Sequence, residues 1–369
     1  MANPSDKSSD YSVTAVQARN AIKAAFRSKR PVFLWGPPGI GKSDVVADIT
    51  NDMNGLMIDL RMAQMEPTDL RGIPFFNKDN GKMDWAPPID LPDEELASQY
   101  PVIVLFLDEM NSAPPSVQAA GYQLVLNRRV GKYRLPDNVV IVAAGNRESD
   151  KGVTYRMPMP LANRFLHVEM RSDFTTWQSW AVTHDIHQDV VSFLSFSKND
   201  LYNFDAKSSS RAFPTPRSWT FVSELLKDSE TDSDSMYTLI AGAVGEGLAA
   251  KFVAHRNIAA KLPNPTDILT GKVTDLQVKE VSAMYSLVIS MCYEMKDIVD
   301  NKRMKSKEID QMFDHFLAYI MKNFETELVI LGSKIAIQTY KLDFDGTRLK
   351  HFEEFHKKFG KYIIAANKN

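Results

Sequence analysis

Residues 36 to 43 read Gly36-Pro37-Pro38-Gly39-Ile40-Gly41-Lys42-Ser43, and the chain on either side is of two different kinds. Pro31-Val-Phe-Leu-Trp35 is a short apolar run that reads as a buried strand, and Asp44-Val-Val-Ala-Asp-Ile49 reads as a helix. A strand, a glycine turn and a helix in that order leave few folds open. The glycines let the backbone curl so that successive N–H groups point one way, and the helix that follows offers an anion its positive end. The pattern G-x-x-x-x-G-K-[ST] is met in full, so residues 36–43 are candidate phosphate ligands. Lys42 reaches the terminal phosphates in this reading, and the Ser43 hydroxyl ligates Mg²⁺. The plainer alternative is a glycine-rich turn that binds nothing.

Downstream, strand and helix alternate. Val32–Trp35 is expected as a strand, Lys42–Asp52 as a helix and Leu56–Leu60 as a strand. Val102–Leu107, apolar throughout and bounded by Pro101 and Asp108, suits a strand buried on both faces. Pro114–Asn127 follows as a helix, then Val139–Ala144 and Phe165–Glu169 as strands. This alternation implies a parallel sheet with crossover helices, whose ligands bind at the carboxyl ends of the strands. Ahead of it, Val13–Lys29 has an alanine-rich helical pattern. Beyond about residue 171 only helices are expected: Phe174–His184, Gln188–Phe196, Arg217–Leu226, Ser235–Arg256, Thr274–Val299, Lys305–Asn323 and a last amphipathic one carrying Phe352, Phe355, Phe359 and Tyr362.

Composition narrows the class. Hydrophobic residues make up 44% and charged ones 24%, as in ordinary globular proteins, and the net charge of -2 argues against a generic polyanion binder. The single cysteine, Cys292, excludes an intramolecular disulfide, and its apolar neighbours suit a core thiol. The first ten residues carry no apolar signal, and no charge-free run approaches the ~20 residues of a membrane helix. A cytoplasmic protein is the expectation.

Further candidates lie at strand ends. Val104-Leu-Phe-Leu-Asp108-Glu109 closes an apolar strand with two carboxylates. Asp108 suits Mg²⁺ through its water shell, and Glu109 suits the general base that polarises an attacking water. Asn146, after Val139–Ala144 and Gly145, either orients that water or is a turn residue. Arg164 and Arg217 are each either surface arginines or phosphate contacts: Arg164 a finger supplied to a neighbour, Arg217 a group folding over the nucleotide. Between Arg71 and Ala86, Asn77-Lys-Asp-Asn-Gly81 is a hairpin turn, and Phe75, Phe76 and Trp85 beside it are either decoration or a contact surface. His184, His187, His351 and His356 lack the partners of a metal site and read as packing or surface residues. The basic run Arg128–Arg134 suits a structural turn, with nucleic acid as the weaker alternative.

Taken together, these residues resemble the AAA+ ATPases: Walker A at 36–43, Walker B at 104–109, sensor 1 at Asn146, finger at Arg164 and sensor 2 at Arg217. The Leu161–Phe165 segment and the Pro216-Arg217 dipeptide are similar to the MoxR branch, which includes MoxR, CbbQ and NorQ-like proteins. Arg147-Glu148 departs from it, since a proline is common there. The resemblance covers roughly residues 12–255. It implies an α/β P-loop NTPase core of parallel-sheet AAA+ type over 12–171 with a hairpin insert near 70–90, after a polar tail at 1–11. An α-helical lid at 172–258 and an additional α-helical C-terminal region at 259–369 would follow. It also implies ATP and Mg²⁺ as cofactors, a homo-oligomeric ring of hexameric type, and a chaperone-like action. The partner implied is a client or adaptor carrying a von Willebrand factor A domain, with the insert facing the pore. The competing reading is a nucleic-acid-associated AAA+ motor or loader.

Overall fold

The computed structural model describes residues 11–130, 132–150, 155, 157–205, 210–228, 230–259, 261–277 and 280–365. All of the expected polar tail except Tyr11 therefore lies outside the described residues, as do Gly131 of the basic run and the serines Ser208, Ser209 and Ser229. The chain divides into two compact units, Met1–Thr176 with Asp205–Ser208, and Trp177–Phe204 with Ser209–Asn369.

The strands of the first unit are β1 (Val32–Trp35), β2 (Leu56–Arg61), β3 (Ile73–Asn77), β4 (Lys82–Ala86), β5 (Ile103–Asp108), β6 (Arg129–Val130), β7 (Tyr133–Arg134), β8 (Val139–Gly145) and β9 (Leu166–Glu169). Its helices are α1 (Ala15–Arg27), α2 (Lys42–Asp52), α3 (Pro67–Arg71), α4 (Glu94–Ala97), α5 (Pro115–Asn127) and α6 (Met159–Ala162). Five strands pair in parallel in the order β2-β5-β8-β1-β9. The expected fold class is the one adopted: an α/β core on a parallel sheet, followed by a helical region.

β8 is the central strand, with β5 and β1 beside it, and the composition of β5 and β8 shows why they are interior. Every residue of β8 and all of β5 but Asp108 is buried. Leu105, Leu107, Ile141 and Ala143 face the core cluster that α5 covers through Val117, Ala120 and Leu124. α1 and α2 also pack on strands of the sheet, α2 against β2, β5 and β8 and α1 against β9. α1 begins later than the alanine pattern suggests, because Thr14 and Gln17 form a reciprocal capping box that fixes its start. The Arg128–Arg134 run is a small antiparallel hairpin of its own, β6 with β7.

The second unit is helical: α7 (Phe174–Thr183), which begins in the first unit, α8 (Gln188–Phe196), α9 (Pro216–Leu226), α10 (Ser233–Val244), α11 (Glu246–Ala259), α12 (Pro265–Leu269), α13 (Val281–Asp300), α14 (Ser306–Asn323), α15 (Thr326–Lys334) and α16 (Phe352–Ala365). The single helix expected over Ser235–Arg256 is two. Gly245 breaks it at φ +95°, a conformation that favours glycine, and its N–H closes α10 on Ala241 O. Trp219, Phe252 and Phe193 form the aromatic centre, and α13 runs through the unit with Leu287, Val288, Met291, Cys292 and Met295 all buried. Cys292 donates to Gly332 O, and burial pushes its thiol above the ordinary range. Among the described residues no helix is long and apolar enough to cross a membrane.

Candidate functional site

The glycine turn leaves β1 at Gly36 and enters α2 at Lys42. Gly39 (φ +73°) and Gly41 (φ +87°) both hold the left-handed conformation, which side chains disfavour. At Gly36 a β-carbon would press on Met170 O at 2.8 Å, so the turn lies against the end of β9. Gly41 caps α2 with no side chain of its own. The first-turn N–H groups of an eleven-residue helix are thus left to whatever anion approaches.

Lys42 Nζ donates to Gly36 O (2.8 Å), Pro37 O (3.0 Å) and Asn146 Oδ1 (3.1 Å). The last contact follows from strand order: β8 lies between β1 and β5, so Asn146 emerges between the lysine turn and Asp108. Ser43 Oγ donates to Asp108 Oδ2 at 3.4 Å. The structure therefore brings Lys42, Ser43, Asp108 and Asn146 to one end of the sheet. Glu109 follows Asp108 at φ +53°, exposed and left-handed, its N–H held by Asp108 Oδ1 at 2.8 Å. A non-glycine residue held there is strained and persists because its neighbours dictate it.

A hydroxyl and a carboxylate oxygen are the hard donors that Mg²⁺ prefers. Among the described residues no group of three or more His, Cys, Asp or Glu side chains is arranged to hold a metal alone. Ser43 and Asp108 thus fit a cation that completes its shell with water and phosphate oxygens.

Two residues here escape the motif reading. Asp59 on the edge strand β2 pairs with Phe106 of β5, two residues before Asp108. Desolvation, reinforced by the charges of Asp108 and Glu109, holds its carboxyl above the ordinary range, although Arg61 pulls the other way. Its only sequence signal is an acid interrupting an otherwise apolar strand. Asn111 is buried, and its Nδ2 donates to Asn146 O at 2.7 Å. A β-carbon at Gly145 would run into the Asn111 carboxamide, so a glycine and an asparagine fit together behind the Asn146 backbone. Arg147, the departure noted above, pairs with Asp150 (2.9 Å) and Glu169 (3.5 Å), tying the end of β8 to that of β9.

Arg164 is not brought to this end. It precedes β9, which runs parallel to β1 with Leu166 beside Val32, so it lies near the amino end of the sheet. β1, four residues at ~3.3 Å each, separates that level from the phosphate turn. Arg217 belongs to the second unit, exposed in the first turn of α9, whose Thr215 and Ser218 make a capping box.

The β3–β4 hairpin is two-faced. Its register puts Pro74, Phe76, Met83 and Trp85 on one face, with Phe76, Met83 and Trp85 exposed by 61, 62 and 40%. Ile73, Phe75 and Asp84 share the other, where Asp84 meets Lys132 Nζ at 2.7 Å and so joins the hairpin to the β6–β7 turn. His184 stacks on Trp180, His187 accepts from Asp189 N–H, and His351 pairs with Asp314. Each is engaged in packing or capping.

No family model matches the sequence, and no curated protein matches it. Among solved structures, the chain is similar to NtrX from Brucella abortus in complex with ADP, at 15% identity and TM-score 0.37, over 94% of this chain and 68% of that one. It is also similar to the RuvB Holliday junction branch migration motor of Thermotoga maritima, at 15% identity and TM-score 0.35, over 82% and 85%. Both likenesses are distant, and the chemistry of the site rests on its own residues.

Proposed function

We propose that this chain binds ATP with Mg²⁺ and hydrolyses it as an AAA+ protein of MoxR-like kind, working in a homo-oligomeric ring on a protein client. The observation that carries the reading is the meeting of Lys42 with Asn146, and of Ser43 with Asp108, at the carboxyl end of a parallel sheet. Gly39, Ile40 and Gly41, with the first turn of α2, offer backbone N–H groups to the phosphates, while Pro37 and Pro38 shape the turn without donating. Lys42 turns its ammonium from loop carbonyls to phosphate oxygens. Ser43 and Asp108 hold Mg²⁺, which offsets the charge developing on the transferred phosphoryl group. Glu109 accepts the proton of the attacking water, and Asn146 orients that water from the next strand.

Arg164 is a finger for a neighbour in this reading, because its own loop lies at the opposite end of β1. Arg217 opens α9 as the sensor of the second unit. The apolar side chains that the β3–β4 hairpin leaves to solvent, Phe76, Met83 and Trp85 on one face and Ile73 and Phe75 on the other, are the surface offered to the client, since apolar patches left to solvent mark contact sites. A von Willebrand factor A domain in the client or its adaptor completes the proposal.

The test is Glu109→Gln. Nucleotide affinity is expected to stay within a few-fold while turnover falls by about 10²–10⁴. Turnover that survives the substitution removes Glu109 from the base role and the reading with it. The same variant, locked with ATP, is the bait for recovering the client.

A further inference from the structure

At the amino end of the sheet, away from the phosphate turn, a cleft of about 160 Å³ is lined by Lys29, Arg30, Arg128 and Arg164 over an apolar floor of Val125 and Ile141. At ~30 Å³ per water it holds roughly five waters, room for one phosphoryl group with part of its hydration. The register explains the convergence. Leu166 N–H donates to Pro31 O at 2.9 Å, which sets Arg164 level with Arg30. Arg128 arrives from the end of α5, left-handed at φ +52°. Its guanidinium donates to Pro136 O (2.7 Å) and Val139 O (2.9 Å), so it is anchored half-buried in the wall. Desolvation lowers its pKa, with Asp137 and Tyr133 acting against that. The other three side chains are exposed, and among the described residues none of the four has a carboxylate ion pair. Surfaces normally intersperse charges of both signs. Four cations around one small space repel each other until an anion joins them.

We propose that this cleft is an oxyanion site for a polyphosphate tail, with Lys29, Arg30 and Arg128 acting alongside Arg164. Guanidinium forks and an ammonium match phosphate oxygens through charge-assisted hydrogen bonds. A tail bearing several negative charges balances four cations, which a single carboxylate does not. The tail has two sources: a polyphosphate free in solution, or the nucleotide held by a second copy of this chain. The second source rests on the function proposed above, and the cleft itself does not.

The test uses the full chain carrying Lys42→Ala, which removes the lysine of the phosphate turn so that binding is read from the cleft. Calorimetric titration with inorganic triphosphate at low salt is expected to show one saturable site. Lys29→Gln and Arg30→Gln, both at exposed side chains, are expected to weaken it by about tenfold per charge and to flatten its salt dependence. Absence of saturable binding, an affinity unmoved by the two substitutions, or binding of duplex DNA without binding of triphosphate overturns the proposal. Because no hydrolysis is read, failure of the proposed activity leaves this test standing.

The source is then assigned in chains with Lys42 intact. If Lys29→Gln and Arg30→Gln lower ATP turnover only at protein concentrations that support assembly, the tail belongs to a second copy. Turnover unmoved at every concentration, beside lost triphosphate binding, assigns it to free polyphosphate.

Discussion

Asn111 and Gly145 form a pair in which each explains the other. The asparagine carboxamide donates to the Asn146 carbonyl, and the glycine leaves the space that this carboxamide fills. Asn146 in turn accepts from Lys42, so the position of the phosphate-turn lysine depends on a buried contact two links away. Gly145→Ala forces a β-carbon into an occupied, fully buried position, which costs about 1–3 kcal/mol. Asn111→Ala removes the obstacle along with a buried hydrogen bond, at about 0.5–1.5 kcal/mol. The double variant is expected to be more stable than the sum of the two by at least ~0.5 kcal/mol, read from urea denaturation midpoints. Strict additivity would show that the two side chains do not compete for one space. At this scale the motif residues are legible because backbone chemistry dictates them: glycine where φ is positive, and a lysine where the helix begins. Asn111 and Asp59 are not legible, because their roles come from contacts between strands distant in sequence. A DEMN run says nothing of a glycine 34 positions on.

Elements carry a second kind of dependence. α8, α11 and α13 meet at His255, whose Nε2 bonds Ser192 Oγ (2.8 Å) and Ser286 Oγ (3.0 Å), with Phe193 and Phe196 against the ring. Burial holds this histidine below its ordinary range, and Asp189 draws it only partly back. A histidine depressed in the folded state takes its proton first in the unfolded chain. Its stability contribution is therefore complete above pH ~6.5 and is lost as pH falls below that value, by at most ~1.4 kcal/mol per pH unit. Denaturation midpoints measured at pH 7.5 and 5.5 are expected to fall for the natural chain and to fall less for His255→Asn. His187, also depressed by burial and beside Asp189 and Arg256, adds to the fall in both chains. An equal fall in both chains would mean that His255 does not couple protonation to folding. The helices themselves were foreseeable from spacing: Gln188–Phe196 is seen as expected, since its apolar run has the helical period. The break at Gly245 was hidden, because a glycine inside an apolar helical pattern interrupts it only when the following helix packs elsewhere. The β6–β7 hairpin was hidden for the opposite reason: two-residue strands carry no periodicity, and pairing alone reveals them.

For the whole molecule, the separation of Arg164 from its own phosphate turn decides what kind of machine is consistent with the chain. The turn leaves the carboxyl end of β1, while Arg164 enters at the amino end of the neighbouring parallel strand. On the proposed function, a single copy would hold both halves of a composite site without being able to close them on each other. The proposed ring would supply a head-to-tail contact that brings the amino end of one copy to the carboxyl end of the next; such heterologous contacts give rings where the rotation closes and open filaments where it does not. Mixing tests this without any knowledge of the client. Arg164→Ala chains keep an intact phosphate turn and Glu109. Glu109→Gln chains keep an intact Arg164. In an equal mixture each interface pairs a competent turn with a competent arginine at a chance of one half times one half, so about a quarter of the natural turnover is expected to return. Each variant alone should be nearly inactive. Turnover in the mixture that equals the mean of the separate variants would show that no arginine is shared between copies, and Arg164 would then belong to the cleft at the amino end of the sheet and not to hydrolysis.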